Sequence, residues 1–222
     1  GVGRRMGASG NKQYLELGDR PVLAHTLARL AALEGIDALY VIVPEAERAY
    51  CRDAIVARFG LTKVRSVLAG GAERQDSVRN GLAGCGAADD DVVLIHDGVR
   101  PFFPAAQIGP LLAAAADCGA ALLAIPAQDT IKEVAGGQVL RTLDRSRLWQ
   151  VQTPQAFRFA VIRDAHRQAL EEGFAATDDA SLVEWQGYPV AVIPGSPFNL
   201  KLTTPEDLAL ARALLAAGLL EG

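Results

Sequence analysis

The sequence predicts an α/β fold: a three-layer sandwich in which helices cover both faces of a mostly parallel β-sheet. Short apolar runs alternate along the chain with segments whose apolar residues recur at helical spacing. The runs are continuous rather than alternating with polar residues, which is typical of parallel strands buried on both faces. Because right-handed crossovers bring the carboxyl ends of such strands to one edge, we expect ligands to bind there.

The first predicted helix covers residues 21–33. We expect Asp19 to cap its first turn and Gly35 to end it. The apolar residues that share one face of this helix are Val22, Leu23, Leu27, Leu30 and Leu33.

The remaining elements of the sandwich alternate in the same way. Each strand is a short apolar run, and each helix has apolar residues at helical spacing. In order, we predict strand 39–43, helix 45–59, strand 64–68, a helix beginning within 76–82, strand 92–95, helix 105–116, strand 121–125, helices 158–172 and 180–185, strand 190–193 and helix 205–215. The last helix has Thr204 as its expected cap and Pro205 at its first position.

An appendage interrupts this alternation at about residues 130–153. Two short β-type runs, 131–134 and 139–143, flank the pair Gly136 and Gly137, which predicts an antiparallel hairpin. We interpret residues 1–222 as a single domain carrying this hairpin as a projecting arm.

Composition limits the function classes. Half of the residues are hydrophobic and the net charge is -4, which argues against a general nucleic-acid or acidic-membrane surface. The three cysteines are widely spaced and lack metal-ligand spacing, which favours a reduced cytoplasmic protein. We find neither a membrane-spanning run nor a signal peptide.

A glycine-rich loop opens the sequence and predicts a phosphate site. Gly1 and Gly3 allow tight turns that present N–H groups to an anion, and Arg5 and Lys12 add positive charge. A Walker motif is excluded because no Gly-Lys-Ser/Thr follows. A surface loop without function remains the alternative. Since such a loop normally follows a strand, we expect a strand ahead of Gly1.

Two further polar clusters follow predicted strands. Asp97 and Arg100 come directly after strand 92–95 and either pair only with each other or face a ligand. An acidic residue there can hold a sugar hydroxyl or a phosphate-bound metal. The segment 70–78 is a second glycine-started loop, with a helix-capping box as its structural alternative. Residues 153–155 and 199–201 are short polar clusters between apolar segments.

Taken in order, eight motifs resemble the 2-C-methyl-D-erythritol 4-phosphate cytidylyltransferase family over essentially the whole chain. They are Gly1-x-Gly3-x-Arg5-Met6 with Lys12-Gln13-Tyr14, Glu73-Arg74-x-Asp76-Ser77-Val78, His96-Asp97-x-x-Arg100-Pro101-Phe102, Asp129-Thr130-Ile131-Lys132, Asp144-Arg145-x-x-Leu148-Trp149, Thr153-Pro154-Gln155-x-Phe157, Thr177-Asp178-Asp179-Ala180-Ser181 and Asn199-Leu200-Lys201. The resemblance implies a Rossmann-like nucleotidyltransferase sandwich and the transfer of a cytidylyl group from CTP to the sugar-alcohol phosphate. The family works in the non-mevalonate isoprenoid pathway, with Mg²⁺ or another divalent cation, in the cytoplasm or a plastid-type stroma.

The resemblance also implies site residues. Arg5 and Lys12 would be the catalytic cations, and Asp97 would meet the ribose or the metal. The nucleotide would be held by Gly1, Val2, Gly3, Gly71, Arg74, Ser77 and Asp97. The acceptor would be held by Arg100, Thr130, Arg145, Thr153 and Lys201, with Arg145 supplied through the arm by the partner of a homodimer.

Two departures from the family pattern and two rival functions stand beside this interpretation. Asn11 occupies a position where the family usually has proline, and residues 196–198 lack an expected acidic residue. The rivals are a ribitol 5-phosphate cytidylyltransferase and a nucleotide-binding regulator without catalysis. We interpret His25 and His166 as packing or surface residues rather than ligands, and the charged pairs of 163–172 as a solvated helix face.

Overall fold

The computed structural model describes residues 12–220, which contain ten strands and seven α-helices. The strands are β1 (Glu16–Leu17), β2 (Arg20–Pro21), β3 (Leu39–Val43), β4 (Val64–Ala69), β5 (Val92–Ile95), β6 (Ala120–Pro126), β7 (Lys132–Ala135), β8 (Gln138–Thr142), β9 (Trp149–Arg158) and β10 (Ala191–Pro194). The helices are α1 (Val22–Ala32), α2 (Arg48–Tyr50), α3 (Arg74–Gly84), α4 (Ile108–Cys118), α5 (Phe159–Glu172), α6 (Asp179–Trp185) and α7 (Pro205–Ala216). Helix α2 lies between a 3₁₀ turn, Glu45–Glu47, and a π-helical segment, Cys51–Ala57.

The central sheet has the strand order β10-β6-β9-β5. Strands β10 and β6 are parallel, and β9 is antiparallel to both β6 and β5. Strands β5, β6 and β10 therefore run in one direction, and β3 and β4 form a separate parallel pair. The predicted α/β class is confirmed.

Strand β9 is the longest strand that the sequence did not predict; the short strands β1 and β2 are the others. The polar residues Thr153 and Gln155 were expected between elements, yet both are buried within β9. The strand is not predicted because a buried strand is recognised in a sequence by an apolar run, and these two polar residues interrupt it. Hydrogen bonds satisfy these side chains inside the fold, and this is the condition under which polar groups are buried.

Two helical layers enclose the sheet. Along β6, Ala121 and Leu123 face a core formed with α1 and α4, while Ala120, Leu122 and Ala124 face a second core formed with α3, α5 and α6. This alternation follows from the two-residue period of a strand and confirms the three-layer arrangement. A third cluster packs α7 against Val99 and Phe102 in the loop after β5.

The start of α1 differs from the prediction. Pro21 occupies the cap position, and no side chain caps the helix. Strands β1 and β2 form a tight hairpin, which places Asp19 in the turn. There its carboxylate accepts a hydrogen bond from Arg20 Nη2 at 2.9 Å instead of facing the helix.

The antiparallel hairpin predicted for the arm is present as β7–β8. Its turn residues Gly136 and Gly137 have φ values of 56° and 78°, a left-handed conformation that favours glycine at both positions. The arm exposes apolar side chains, since Val134, Val139 and Leu140 are 55%, 58% and 61% exposed.

Helix α7 has the predicted cap, which allows a stability prediction. Thr204 Oγ1 accepts a hydrogen bond from Asp207 N at 3.2 Å, and Asp207 Oδ2 accepts one from Thr204 N at 2.8 Å. We expect Thr204→Ala to lower the free energy of unfolding by about 1 kcal/mol, because a backbone N–H of the first turn loses its partner. Urea unfolding measures this, with Thr204→Ser as the control that keeps the hydroxyl. An equal loss in both variants would contradict the capping role.

Among residues 12–220, no helix is both long and apolar enough to cross a membrane. The predicted phosphate-loop residues Gly1, Val2, Gly3 and Arg5, together with Asn11 and the expected preceding strand, lie outside the described residues.

Candidate active site

Three loops that follow β4, β5 and β10 meet around one carboxylate, that of Asp97. Lys201 Nζ lies 2.9 Å from Asp97 Oδ2, and Arg100 Nε lies 3.2 Å from the same oxygen. Arg74 Nε lies 3.8 Å from Asp97 Oδ1. The Asp97 side chain is 12% exposed, whereas those of Arg74 and Lys201 are 38% and 41% exposed. The cluster therefore has a largely buried acidic centre, with Arg74 and Lys201 exposed at its rim.

The charge state of Asp97 is set by its neighbours. Burial alone would raise the pKa of this carboxyl group, but Lys201, then Arg100 and Arg74, lower it to about 2. Asp97 is therefore ionised at neutral pH, and three cations surround one anion.

His96 and Thr153 fix the backbone beneath Asp97. Thr153 Oγ1 accepts a hydrogen bond from Asp97 N at 3.0 Å and lies 3.0 Å from His96 Nδ1. His96 Nε2 lies 3.0 Å from the Arg100 carbonyl oxygen, which can only accept, so Nε2 carries the proton and Nδ1 accepts from Thr153. Burial lowers the pKa of His96 to about 4, so the ring is neutral at pH 7.

An irregularity in β9 brings Thr153 to this position. Leu122 pairs with Gln155 and Leu123 with Gln152, so Thr153 and Pro154 have no partners on β6. The extra residues form a bulge, and bulges commonly re-aim side chains next to functional sites.

The segment that carries Lys201 is attached to the same bulge through buried amides. Asn199 Nδ2 donates to Gln152 Oε1 at 3.1 Å and to the Thr153 carbonyl at 2.9 Å. Arg100 Nη1 donates to the Asn199 carbonyl at 2.7 Å. A Cβ at position 195 would lie 2.4 Å from Gln152 Oε1, so a larger residue there would displace the amide that binds Asn199. The sequence alone predicted no role for the Gln152 and Asn199 side chains, because a buried amide has no distinctive spacing.

Side chains from the start of α3 hold the loop between β4 and α3 through hydrogen bonds to its backbone. Gly71 N donates to Ser77 Oγ at 3.0 Å, and Glu73 N donates to Asp76 Oδ2 at 3.2 Å. A Cβ on Gly71 would lie 2.3 Å from Asp76 Cβ, so this close approach requires glycine. The capping contacts named as the structural alternative are therefore present, and they place Arg74 at the first position of α3.

A second, deeper carboxylate contacts Arg74. Asp179 is 1% exposed, and its Oδ2 lies 2.7 Å from Arg74 Nη2. His166 Nε2 lies 3.2 Å from Asp179 Oδ1, and this ring is also 1% exposed. His166 is thus a packing residue as expected, whereas its contact with an acidic residue was not foreseen.

The family model of 2-C-methyl-D-erythritol 4-phosphate cytidylyltransferase matches residues 1–217. The chain belongs to this cytidylyltransferase family. The cytidylyltransferase of Syntrophotalea carbinolica is 60% identical over 215 residues, covering 97% of this chain and 92% of the relative. That of Geotalea uraniireducens is 55% identical, covering 97% and 93%. The crystal structure of the cytidylyltransferase from Thermus thermophilus is similar with a TM-score of 0.79 at 36% identity, covering 94% of this chain and 96% of the other.

Part of the site predicted from the cytidylyltransferase motifs comes together within one chain. Arg74, Asp97, Arg100 and Lys201 form the charged cluster, and Thr153 contacts it through the Asp97 backbone. Gly71 and Ser77 form the adjoining loop.

In the described part of the chain, two other predicted residues, Thr130 and Arg145, do not contact this cluster, and Lys12 lies on a separate turn. Thr130 and Arg145 are exposed, and Arg145 Nη1 donates to the Gln128 carbonyl. Within residues 12–220, Arg145 has no ion pair with the cluster. Lys12 begins the 3₁₀ turn Lys12–Tyr14, at the boundary of the described part of the chain.

The low pKa of Asp97 gives a pH prediction. Because the folded pKa of about 2 lies below the ordinary value of 3.8, the ionised carboxylate stabilises the fold at pH values above the unfolded pKa. This contribution, about 2 kcal/mol, is lost as the pH falls through the folded pKa.

We therefore expect the stability difference between the unaltered protein and Asp97→Asn to narrow by about 1 kcal/mol from about pH 6 to about pH 3. Urea unfolding at both pH values measures this difference. A difference that stays constant would contradict the assigned charge interactions.

Proposed function

We propose that this protein transfers the cytidylyl group of CTP to 2-C-methyl-D-erythritol 4-phosphate, giving 4-diphosphocytidyl-2-C-methyl-D-erythritol and pyrophosphate for isoprenoid synthesis. One observation supports this most directly: in a chain of this cytidylyltransferase family, three cations that follow strands β4, β5 and β10 surround an ionised aspartate. A reaction between two polyanions needs such a concentration of positive charge, especially in a chain whose net charge is -4.

The transfer is an in-line displacement. An oxygen of the acceptor phosphate attacks the α-phosphorus of CTP, and the bond from that phosphorus to the departing pyrophosphate breaks. The attacking oxygen is already anionic near neutral pH, so no general base is required. The neutral His96 ring fits this scheme, since both of its nitrogens are occupied by Thr153 and the Arg100 carbonyl.

On the nucleotide side, Arg5 and Lys12 are the proposed catalytic cations. They would stabilise charge that develops on the α-phosphate and on pyrophosphate. The proposed CTP-binding residues are Gly1, Val2, Gly3, Gly71, Arg74, Ser77 and Asp97. The first three of these, and Arg5, lie outside the described residues. The exposed rim at Arg74, beside the Gly71 loop, offers N–H donors to phosphate oxygens.

On the acceptor side, the proposed residues come from several segments. Arg100, Thr153 and Lys201 lie together beside Asp97. Thr130 and Arg145 would complete the acceptor site, with Arg145 entering the site of a partner subunit. Its exposed position on the arm supports an intersubunit role.

We propose that the magnesium ion enters with CTP and is held mainly by the phosphates of the nucleotide. Mg²⁺ in nucleotide sites is commonly held by one or two carboxylates together with substrate phosphates. Among residues 12–220, no group of three or more His, Cys, Asp or Glu side chains is placed to hold a metal without the nucleotide. Asp97, the carboxylate of the charged cluster, is therefore the proposed single protein ligand. When bound, the ion would supply neutralisation of phosphate charge, with Asp97 as its proposed protein ligand.

We further propose a cytoplasmic homodimer that assembles through the arm. The exposed apolar residues of β7–β8, together with Trp149 at 44% exposure, support this assembly, because an isolated hairpin has too little core to be stable alone. The three cysteines are free thiols, as expected in a reducing compartment.

Parallel turnover assays test the proposed reaction. Pyrophosphate release with CTP and Mg²⁺ is measured with 2-C-methyl-D-erythritol 4-phosphate and, separately, with ribitol 5-phosphate. We expect faster turnover of the methylerythritol phosphate, whereas faster turnover of ribitol phosphate would overturn the assignment. Release at background with both acceptors would indicate a regulator. The family model and the similar proteins favour neither a ribitol 5-phosphate cytidylyltransferase nor a regulator without catalysis.

A further inference from the structure

The Thr177-Asp178-Asp179-Ala180-Ser181 motif has no role in the site as assigned so far. Its second aspartate is a buried charge: Asp179 is 1% exposed and belongs to the first turn of α6. A buried carboxylate is costly unless it is paired, and its ion pair in the described part of the chain is with Arg74 Nη2, at 2.7 Å.

Helix capping does not account for Asp179. The cap of α6 is the neighbouring Asp178, whose Oδ1 accepts from Ser181 N at 3.0 Å. The other oxygen of Asp178 accepts from Gln155 Nε2 at 2.6 Å. Asp179 instead reaches sideways, from α6 to the first residue of α3 and to His166 on α5.

Arg74 is consequently held at two points. One end of its guanidinium group contacts the buried Asp179, and its Nε faces the partly buried Asp97 at 3.8 Å. The side chain nevertheless remains 38% exposed, so further N–H donors of its guanidinium group are accessible to a ligand. A planar guanidinium group has five N–H donors and can hydrogen-bond to a buried carboxylate and a phosphate at the same time, which an ammonium group does less well.

We propose that Asp179 is a positioning residue that fixes the Arg74 guanidinium group for the triphosphate of CTP. This inference rests on the proposed function, in which Arg74 binds the nucleotide. A long side chain that is already ordered loses less conformational freedom when its ligand binds. Asp179 also offsets part of the positive charge of Arg74. Its contribution is therefore to order the Arg74 side chain, not to strengthen the attraction of Arg74 for phosphate. Asp179 acts on CTP through Arg74, whereas the proposed acceptor residues Arg100 and Lys201 pair with Asp97, so we expect a much smaller effect on acceptor binding.

A double-mutant cycle tests the proposal. Asp179→Ala, Arg74→Ala and the double variant are compared for kcat and for the KM of each substrate. We expect each single variant to raise the KM of CTP by about ten-fold or more, with the acceptor KM changed by less than about two-fold. The double variant should be no worse than Arg74→Ala alone, because Asp179 acts through Arg74. Fully additive effects, or an unchanged KM of CTP in Asp179→Ala, would overturn the proposal.

Two further variants separate positioning from loss of structure. Asp179→Asn keeps an oxygen acceptor of the same size and should restore part of the CTP affinity, whereas a value no better than that of Asp179→Ala would count against the proposal. Asp164→Asn removes a charge from the exposed face of α5, where it pairs with Arg163, and should leave both KM values unchanged. Turnover by the unaltered protein tests the reaction independently. If it proceeds while Arg74→Ala leaves the KM of CTP unchanged, the assignment of Arg74 and this inference fail together.

Discussion

Replacing Lys12 with alanine should lower turnover by more than ten-fold while leaving the fold intact, because a cation that stabilises charge developing in the transition state is typically worth about 2 to 4 kcal/mol. The structure supports a defined position for this residue. The side chain of the adjacent Gln13 donates to Glu47 Oε2 at 3.0 Å, and the Tyr14 ring meets Tyr50 edge-to-face at 4.9 Å. The turn that carries Lys12 is thus attached to the helical segment that contains α2.

The matched control for this variant is Lys63→Ala. Lys63 Nζ donates to the Leu33 carbonyl at 2.8 Å, beyond the end of α1, and lies outside the proposed site. Steady-state turnover with saturating CTP and acceptor, together with thermal unfolding, is measured for both variants. Near-normal turnover of Lys12→Ala would remove Lys12 from the catalytic residues. An equal loss of turnover in Lys63→Ala would point to a general effect of removing a lysine.

Replacing Arg145 with alanine should raise the acceptor KM by about ten-fold or more and change the KM of CTP far less. The reason is that, in the proposed acceptor site, the Arg145 guanidinium group would pair with the acceptor phosphate and would not contact the nucleotide. Arg147 in the same 3₁₀ turn, Arg145–Arg147, provides the control, since Arg147→Ala removes an equal charge from the same exposed segment. Equal increases in both KM values for Arg145→Ala would contradict an acceptor-phosphate role.

Mixing two impaired variants tests whether Arg145 acts across the proposed dimer. In a mixed dimer of Lys12→Ala and Arg145→Ala subunits, one site contains both original residues only if Arg145 enters the partner's site. At subsaturating acceptor, random mixing should then restore about a quarter of the original activity, since half of the dimers are mixed and each has one complete site of two. Failure to regain activity, with mixed dimers demonstrated directly, would place Arg145 in its own subunit's site or in neither.

Most of the secondary structure could be predicted because local patterns determine it. Strands β3 and β5 have the predicted bounds, since each is an apolar run that ends at a turn signal or a polar cluster. The glycine pair at 136–137 predicted the β7–β8 turn, where both residues have positive φ. The cap at Thr204 likewise follows from residues within one turn. Asp19 shows the limit of such rules, because the hairpin β1–β2 moved it away from the cap position.

The sequence by itself determined the α/β class, the order of most elements and the residue types that gather at the sheet edge, since apolar periodicity, turn residues and motif order are all local properties. Only the tertiary structure decided that β9 enters the centre of the sheet, that its bulge turns Thr153 toward Asp97, and that Asp179 lies behind Arg74. The physical reason is that a buried polar group is tolerated only where distant residues satisfy it. Its partners are separated along the chain by tens of residues or, for Arg74 and Asp179, by more than a hundred, and no local pattern indicates such a pairing.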